Sequence, residues 1–420
     1  MKVCIVSINF EPEPTGIAPY ASDLARGLQD MGHKVTVLTT FPHYPNWRVY
    51  PGYKGVRKYE TWQGVRVARL RTYIPRSPGL MNRIAMEAIF AVQVFFRREL
   101  SQADVVVATS PALIASGTAL GRVRFGLRRR HRKFVTWVQD LYTLGIQETS
   151  QSEMGSLIRV LKSFEAFILR NSDYAAVIHP SFEQYLNDSL AVPSAKVRVI
   201  RNWSHLDSSV KDEEIERFRS SVGWSREQRV VLHAGNMGRK QGLENVVRAA
   251  QIAHAEQDDS LVFVLMGDGS ERASLEAMAK GCPNLKFVDP VSASQFPVAL
   301  AASDLLLVNE ASAVQGMAVP SKLTSYFYAG RPVVAATNSG TPTANEVGAS
   351  GAGECVRPGD PEGLLELIRS LIERPNHRVE MGARGIEYYR MFLTPDSAFA
   401  AFDRLLRQSS HNCPKLEFAE

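Results

Sequence analysis

The chain has 420 residues, 45% of them apolar and 22% charged, with a formal net charge of +6. At roughly 100 to 200 residues per domain this length predicts two domains, each able to bury a core, and the composition excludes disordered, collagen-like and disulfide-stapled classes. The charge is unevenly divided: residues 1–205 carry 27 Lys+Arg against 15 Asp+Glu, and the remainder 22 against 28.

The four cysteines, Cys4, Cys282, Cys355 and Cys413, are too dispersed for a disulfide framework and form no CxxC zinc pair, so a reducing cytoplasm is the expected compartment. Met1-Lys2 leads directly into a buried-strand pattern rather than an export signal. The apolar run 88–96 is far short of the roughly 20 residues that cross a bilayer.

In chain order, short β-branched runs predict strands over 2–10, 34–40, 65–72, 104–109, 133–139, 174–179 and 197–200, with helical periodicity over 18–31, 82–100 and 155–171. The polar segment 204–216 reads as a connection. The pattern then restarts, with strands over 230–234, 261–266, 285–288, 305–308, 332–336 and 354–356 and helices over 243–256, 271–280, 323–329 and 362–373. Two successive Rossmann-like doubly wound α/β domains are the economical reading, so chemistry is sought in the loops that follow the strands.

The first such loop carries Gly16, where backbone can approach a phosphate or a polar acceptor; a proline-rich loop needing one glycine fits as well. Asp140 closes the strand ending Val138-Gln139, either as a functional carboxylate or as a strand-end cap. In the rear half Gly235-Asn236-Met237-Gly238-Arg239-Lys240-Gln241-Gly242 joins strand to helix, with glycines and adjacent cations suited to a diphosphate, although loop cations are commonly only solvated. The turns Gly267-Asp268-Gly269 and Val288-Asp289 can wall a base-and-ribose pocket, yet glycine after a buried strand is common without a ligand. Ser321-Lys322-Leu323 reads as the capped start of a short helix. Lysine is the wrong charge for a helix N-terminus unless an anion is bound there too.

Together these residues, with Gly330-Arg331-Pro332-Val333-Val334, resemble the retaining glycosyltransferases of the large GT-B family four over nearly the whole chain. The Pro320-Ser321-Lys322 form is similar to the subgroup that builds exopolysaccharide, capsule and lipid-linked glycans, including colanic-acid-type fucosyltransferases. The resemblance implies an acceptor domain over 1–205, a nucleotide-sugar domain over 206–395, and a last segment, 396–420, whose helix returns to the front domain. Family members usually carry two glutamates where this chain has Met317 and Ser325, and often a histidine where it has Gln139. Glu310 either replaces the missing sugar contact or is an exposed loop carboxylate.

The implied activity is sugar transfer, with retention, from a nucleotide-diphosphate sugar to a glycan or polyprenyl-phosphate-linked acceptor. Arg239, Lys240 and Lys322 would stabilise the departing phosphate, with Asp140 and Glu310 also in the catalytic set. Gly16, Gly235, Asn236, Gly267, Asp268, Gly269, Val288, Asp289, Ser321 and Leu323 would hold the donor. No Asp-x-Asp stands in a strand-end loop, so neither metal nor cofactor is expected. A nucleotide-sugar 2-epimerase, and a catalytically impaired homologue acting as an assembly partner, remain the other readings.

Arg122, Arg124, Arg128, Arg129, Arg130, Arg132 and Lys133 form an uncompensated basic run, and the helix over 81–100 alternates apolar residues with terminal arginines. Either this is an ordinary crossover helix beside a solvated loop, or the two hold the protein on an anionic membrane surface at the inner leaflet. Nucleic acid is disfavoured as a partner, since no reader module accompanies the cations.

Overall fold

The β-branched runs become buried parallel strands because both sheet faces are covered by the helices that connect them. A computed structural model describes residues 1–76, 79–125, 132–141, 155–206, 210–314 and 321–408. The chain divides into two units, Met1–Arg201 with Pro395–Glu420, and Asn202–Thr394.

The first unit contains β1 (Lys2–Val6), β2 (Lys34–Thr40), β3 (Arg57–Trp62), β4 (Val65–Leu70), β5 (Val105–Thr109), β6 (Lys133–Val138), β7 (Tyr174–Val177) and β8 (Val197–Val199). They form one sheet in the order β3-β4-β2-β1-β5-β6-β7-β8. All neighbours are parallel except β3, which pairs antiparallel with β4 from Arg57 opposite Leu70 to Trp62 opposite Val65. Sequence patterning overlooks β3 because, as an edge strand, it is mostly polar and exposed.

One helical expectation changes here. The segment 82–100 is not one helix: Leu80–Phe95 ends before an extended Arg97, and Arg98–Gln102 follows as a short second helix. Leu80–Phe95 buries Met86, Phe90, Ala91 and Val94 against the sheet while Met81 (65% exposed), Ile89, Val92, Phe95 and Phe96 (73%) face outward. From the same helix, the buried Glu87 carboxylate accepts hydrogen bonds from the Ile114 and Ala115 backbone N–H groups, capping the helix Leu113–Arg124.

The basic run is also less free than its sequence implies. Arg124 pairs with Asp173 at 2.8 Å, Arg122 donates to Ser101 Oγ at 3.4 Å, and Arg132 is buried. Lys133 Nζ donates to the carbonyls of Leu406 (2.7 Å) and Gln408, at the end of the helix Pro395–Arg407 where backbone acceptors lack intrahelical partners. Arg124 is therefore ion-paired within the chain, and Arg122 and Lys133 are engaged by neutral acceptors of the same unit. Arg128, Arg129 and Arg130 lie outside the described residues, as do Met317, Pro320 and Cys413.

That last helix is an integral part of the first unit. Phe399 lies so close to Gly27 that a Cβ there would fall 2.3 Å from its ring, Phe402 packs edge-on to Trp137 at 5.1 Å, and Asp403 meets the buried His33 Nε2 at 2.6 Å.

The second unit contains β9 (Arg229–Ala234), β10 (Leu261–Met266), β11 (Leu285–Val288), β12 (Leu305–Asn309), β13 (Val333–Ala336) and β14 (Gly353–Val356), all parallel, in the order β11-β10-β9-β12-β13-β14. Apolar cores cover both faces. The polar stretch read as a connection contains the helix Asp212–Ser221, because Glu214 accepts from the Lys211 N–H at 2.9 Å and Phe218 buries against Trp224.

Candidate active site

Strand order reverses between β9 and β12, with β10 and β11 on one side and β13 and β14 on the other. Ligands of doubly wound sheets bind outside the carboxyl ends of the strands at such a point. Gly235 leaves β9 there with φ 135° and Gly267 leaves β10 with φ 138°. A Cβ on Gly267 would fall 1.9 Å from the Gly235 carbonyl oxygen, so only glycine lets these two loops pass. Asn309, the last residue of β12, donates to the carbonyls of Gln241 (2.7 Å) and Gly242 (2.8 Å) and accepts from Asn245 at 3.0 Å, fixing the turn after β9.

Lys322 reaches into this crevice. It begins the seven-residue helix Lys322–Tyr328, where Ser321 makes no side-chain capping bond, contrary to the capped start expected from sequence. Instead Thr324 Oγ1 donates to the Ser321 carbonyl at 2.6 Å. The Lys322 stem crosses Gly235, whose Cβ would fall 2.7 Å from Cε, and Nζ lies 3.2 Å from His233 Nε2. Burial lowers the ammonium from 10.5 to about 8, while Glu310 opposes that shift.

Glu310, directly after β12, is not a solvated loop carboxylate. It is half-buried, accepts from Thr337 Oγ1 and from Thr343 Oγ1 (2.5 Å), and its own N–H donates to the Ala336 carbonyl. The β12 and β13 exits thus supply an acidic side chain held by two hydroxyls near the lysine.

The remaining rear-half candidates surround this crevice differently. Arg239 is 91% exposed in a 3₁₀ turn and pairs with Glu271 at 3.4 Å; Lys240 and Asn236 are also exposed. Asp268 holds the Gly269 N–H at 2.8 Å, and Asp289 is exposed and paired with Arg272 at 2.6 Å. Val288 accepts from the Gly267 N–H through its carbonyl at 2.9 Å. Leu323 turns its side chain into the core, which leaves only its backbone for a ligand.

In the first unit the strand order reverses between β1 and β5. Gly16, in the loop after β1, sits against the Tyr44 ring, 3.5 Å from where a Cβ would stand. The fully buried Glu13 carboxylate ties that loop to the one after β2 by accepting from Phe10 N–H (3.2 Å), His43 N–H (2.7 Å) and Tyr44 N–H (2.8 Å). Asp140 follows β6 and is exposed, with its carbonyl accepting from Ser110 Oγ at 2.6 Å, whereas Gln139 is buried.

Sequence reasoning missed Glu13, His233, Asn309, Thr337 and Thr343. The signal for His233 was present: a single polar residue at the end of the otherwise apolar Val230-Val231-Leu232-His233-Ala234.

Residues 15–203 match the glycosyl transferase 4-like domain family and residues 214–388 the family of glycosyl transferases group 1. HepE from Anabaena, solved in complex with UDP and glucose, superposes with a TM-score of 0.70 over 97% of this chain and 100% of its own, at 16% identity. The chain is a GT-B glycosyltransferase. Among curated proteins, this glycosyltransferase is 29% identical to the Escherichia coli protein named "Putative colanic acid biosynthesis glycosyl transferase WcaI" over 90% of its own length and 93% of the relative's. It is 25% identical to the GDP-mannose-dependent monoacylated alpha-(1-6)-phosphatidylinositol monomannoside mannosyltransferase of Corynebacterium glutamicum, over 91% and 92%.

Proposed function

We propose that this glycosyltransferase takes a sugar from a nucleotide-diphosphate donor bound at the β9/β12 switch point and transfers it with retention. The acceptor is a glycan or polyprenyl-phosphate-linked glycan engaged by the first unit, in cell-surface polysaccharide biosynthesis. The observation that carries this reading is the Lys322 ammonium, half-desolvated in the crevice of a doubly wound sheet and joined to a neutral imidazole rather than a carboxylate. A buried cation that forms no ion pair among the described residues favours binding an anion.

As the sugar–phosphate bond breaks, negative charge develops on the β-phosphate. A preorganised ammonium stabilises that charge more than it stabilises the bound donor, which lowers the barrier. Arg239 and Lys240 supply further positive charge from the turn, and Asn236, Asp268, Val288, Asp289, Ser321 and the Leu323 backbone line the donor. Glu310 faces the sugar; Asp140 and Gly16 serve the acceptor side. With cations in this role, no divalent metal is needed.

The exposed apolar face of Leu80–Phe95, flanked by Arg83, Arg97 and Arg98, supports a peripheral attachment to the cytoplasmic face of an anionic membrane as part of this proposal, with the lipid-linked acceptor in the same surface. The test is thermal-shift and turnover screening against UDP-, GDP- and dTDP-sugars with and without EDTA. Stabilisation by one donor class, with EDTA-insensitive transfer and the donor's anomeric configuration kept in the product, is expected. No stabilisation by any nucleotide, or inversion, would overturn it.

A further inference from the structure

His233 is fully buried between the apolar residues that end β9. An imidazole in that place does not hold a second proton, because burial and the neighbouring Lys322 ammonium both push its pKa well below the ordinary value. A neutral imidazole has one nitrogen with a lone pair and one with a hydrogen. An ammonium has only hydrogens to give, so at the 3.2 Å contact Nε2 accepts from Lys322 Nζ and the imidazole hydrogen resides on Nδ1.

Three further features define the lysine's surroundings. Gly235 leaves room for its stem, since any Cβ would collide with Cε. Glu310 adds negative potential, but its oxygens are taken by Thr337 and Thr343, and among the described residues Lys322 forms no ion pair. On the lysine's own helix, Tyr326 stays un-ionised, its buried hydroxyl accepting from the Ala234 N–H at 2.9 Å. A carboxylate at position 233 would orient the lysine equally well, but it would cancel the charge and repel an arriving anion. Neutral histidine orients without cancelling.

We infer that His233 is a positioning residue for the donor diphosphate: it anchors Lys322 through one hydrogen bond and leaves two N–H donors and a full positive charge directed at the phosphate oxygens. This inference rests on the reading of Lys322 as the diphosphate ligand. Accepting a hydrogen bond from the ammonium also favours its protonated form, so His233 keeps the lysine charged at a pH where burial works against the charge.

The test compares His233→Leu, which fills the space but cannot accept, with His233→Gln, whose amide oxygen can occupy the Nε2 position. UDP and GDP serve as probes in titration calorimetry from pH 6.5 to 9. In parallel, Lys322 Nζ is titrated by NMR on lysine-labelled protein, assigned by the spectrum of Lys322→Arg. Wild-type affinity is expected to weaken above about pH 8. In the leucine variant that loss should begin roughly one pH unit lower, with affinity about three-fold weaker at pH 7.5 and approaching ten-fold weaker near pH 9, and glutamine should restore most of it. Donor kcat/KM should follow while acceptor KM stays unchanged, a split that general loosening of the fold would not produce.

A folded leucine variant with wild-type Lys322 titration and nucleotide affinity overturns the inference. Should leucine not fold, His233→Asn, too short to reach Nζ, takes its place with the same expectations. If Lys322 titration shifts while neither UDP nor GDP affinity changes, the hydrogen bond stands but the diphosphate role of both residues falls.

Discussion

Because burial holds Lys322 near pKa 8 against an ordinary 10.5, between those pH values the unfolded chain carries a proton that the folded chain has released. Stability contributed at this position therefore rises as pH climbs from about 8 to 10.5, and below 8 the buried charge destabilises in full. Lys322→Met is expected to raise unfolding stability at pH 7 by up to about 3 kcal/mol, at roughly 1.4 kcal/mol per pKa unit, and to flatten that rise. Transfer should meanwhile drop roughly a hundred-fold, the scale of losing one preorganised charge at a leaving group. Denaturation at pH 7 and 10 together with donor turnover checks both halves; a variant no more stable and fully active removes the assignment. Sequence made Lys322 legible as a local conflict of charge at a helix start. It could not show that the conflict is resolved by His233, because that partner lies 89 positions away on another element.

At the scale of elements, Glu87 joins two helices through one carboxyl group. Burial pushes its pKa from 4.5 up to about 8, outweighing the two backbone N–H groups that favour the ionised form. A carboxyl group raised in the folded state contributes stability that is complete below about pH 4.5 and lost as pH rises through 8. Glu87→Gln keeps an acceptor for Ile114 and Ala115 and removes the titration. It is expected to match wild type at pH 5 and to exceed it at pH 9, wild type falling by up to about 1.4 kcal/mol per pH unit inside that window; parallel stability curves for the two proteins would refute this. Phe402→Ala, which empties the place of a ring packed on Trp137, should lower stability by about 3–5 kcal/mol in denaturant titrations. The buried strands were legible as elements because burial on both faces leaves uninterrupted apolar runs. The edge strand β3 and the helix Asp212–Ser221 were not: the first carries charge where solvent meets the sheet, and the second buries chiefly Phe218.

Across the whole molecule, the basic front half keeps less free charge than its composition implies, since Arg124 and Lys133 answer Asp173 and a helix end within the same unit. The proposed membrane attachment therefore rests on the outward side of Leu80–Phe95 more than on the arginine run. Wild type is expected to float with vesicles containing phosphatidylglycerol and less with neutral ones, and Val92→Ser combined with Phe96→Ser should abolish flotation without lowering thermal stability. Equal flotation of the variant, or indifference to lipid charge, rejects that orientation. The two-domain plan and the strand-end loops were legible from alternation alone, whereas the division of labour among cations appears only once buried and paired groups are separated from exposed ones. The placement of Pro395–Arg407 bears on the order in which the protein is made. Residues 202–394 leave the ribosome as an uninterrupted unit that can finish folding before the earlier one does. Until the last helix emerges, Gly27, His33, Lys133 and Trp137 lack the contacts that this helix supplies, so the first unit made is the last to close, and its open apolar seam is the nascent chain's exposure to chaperones and to aggregation.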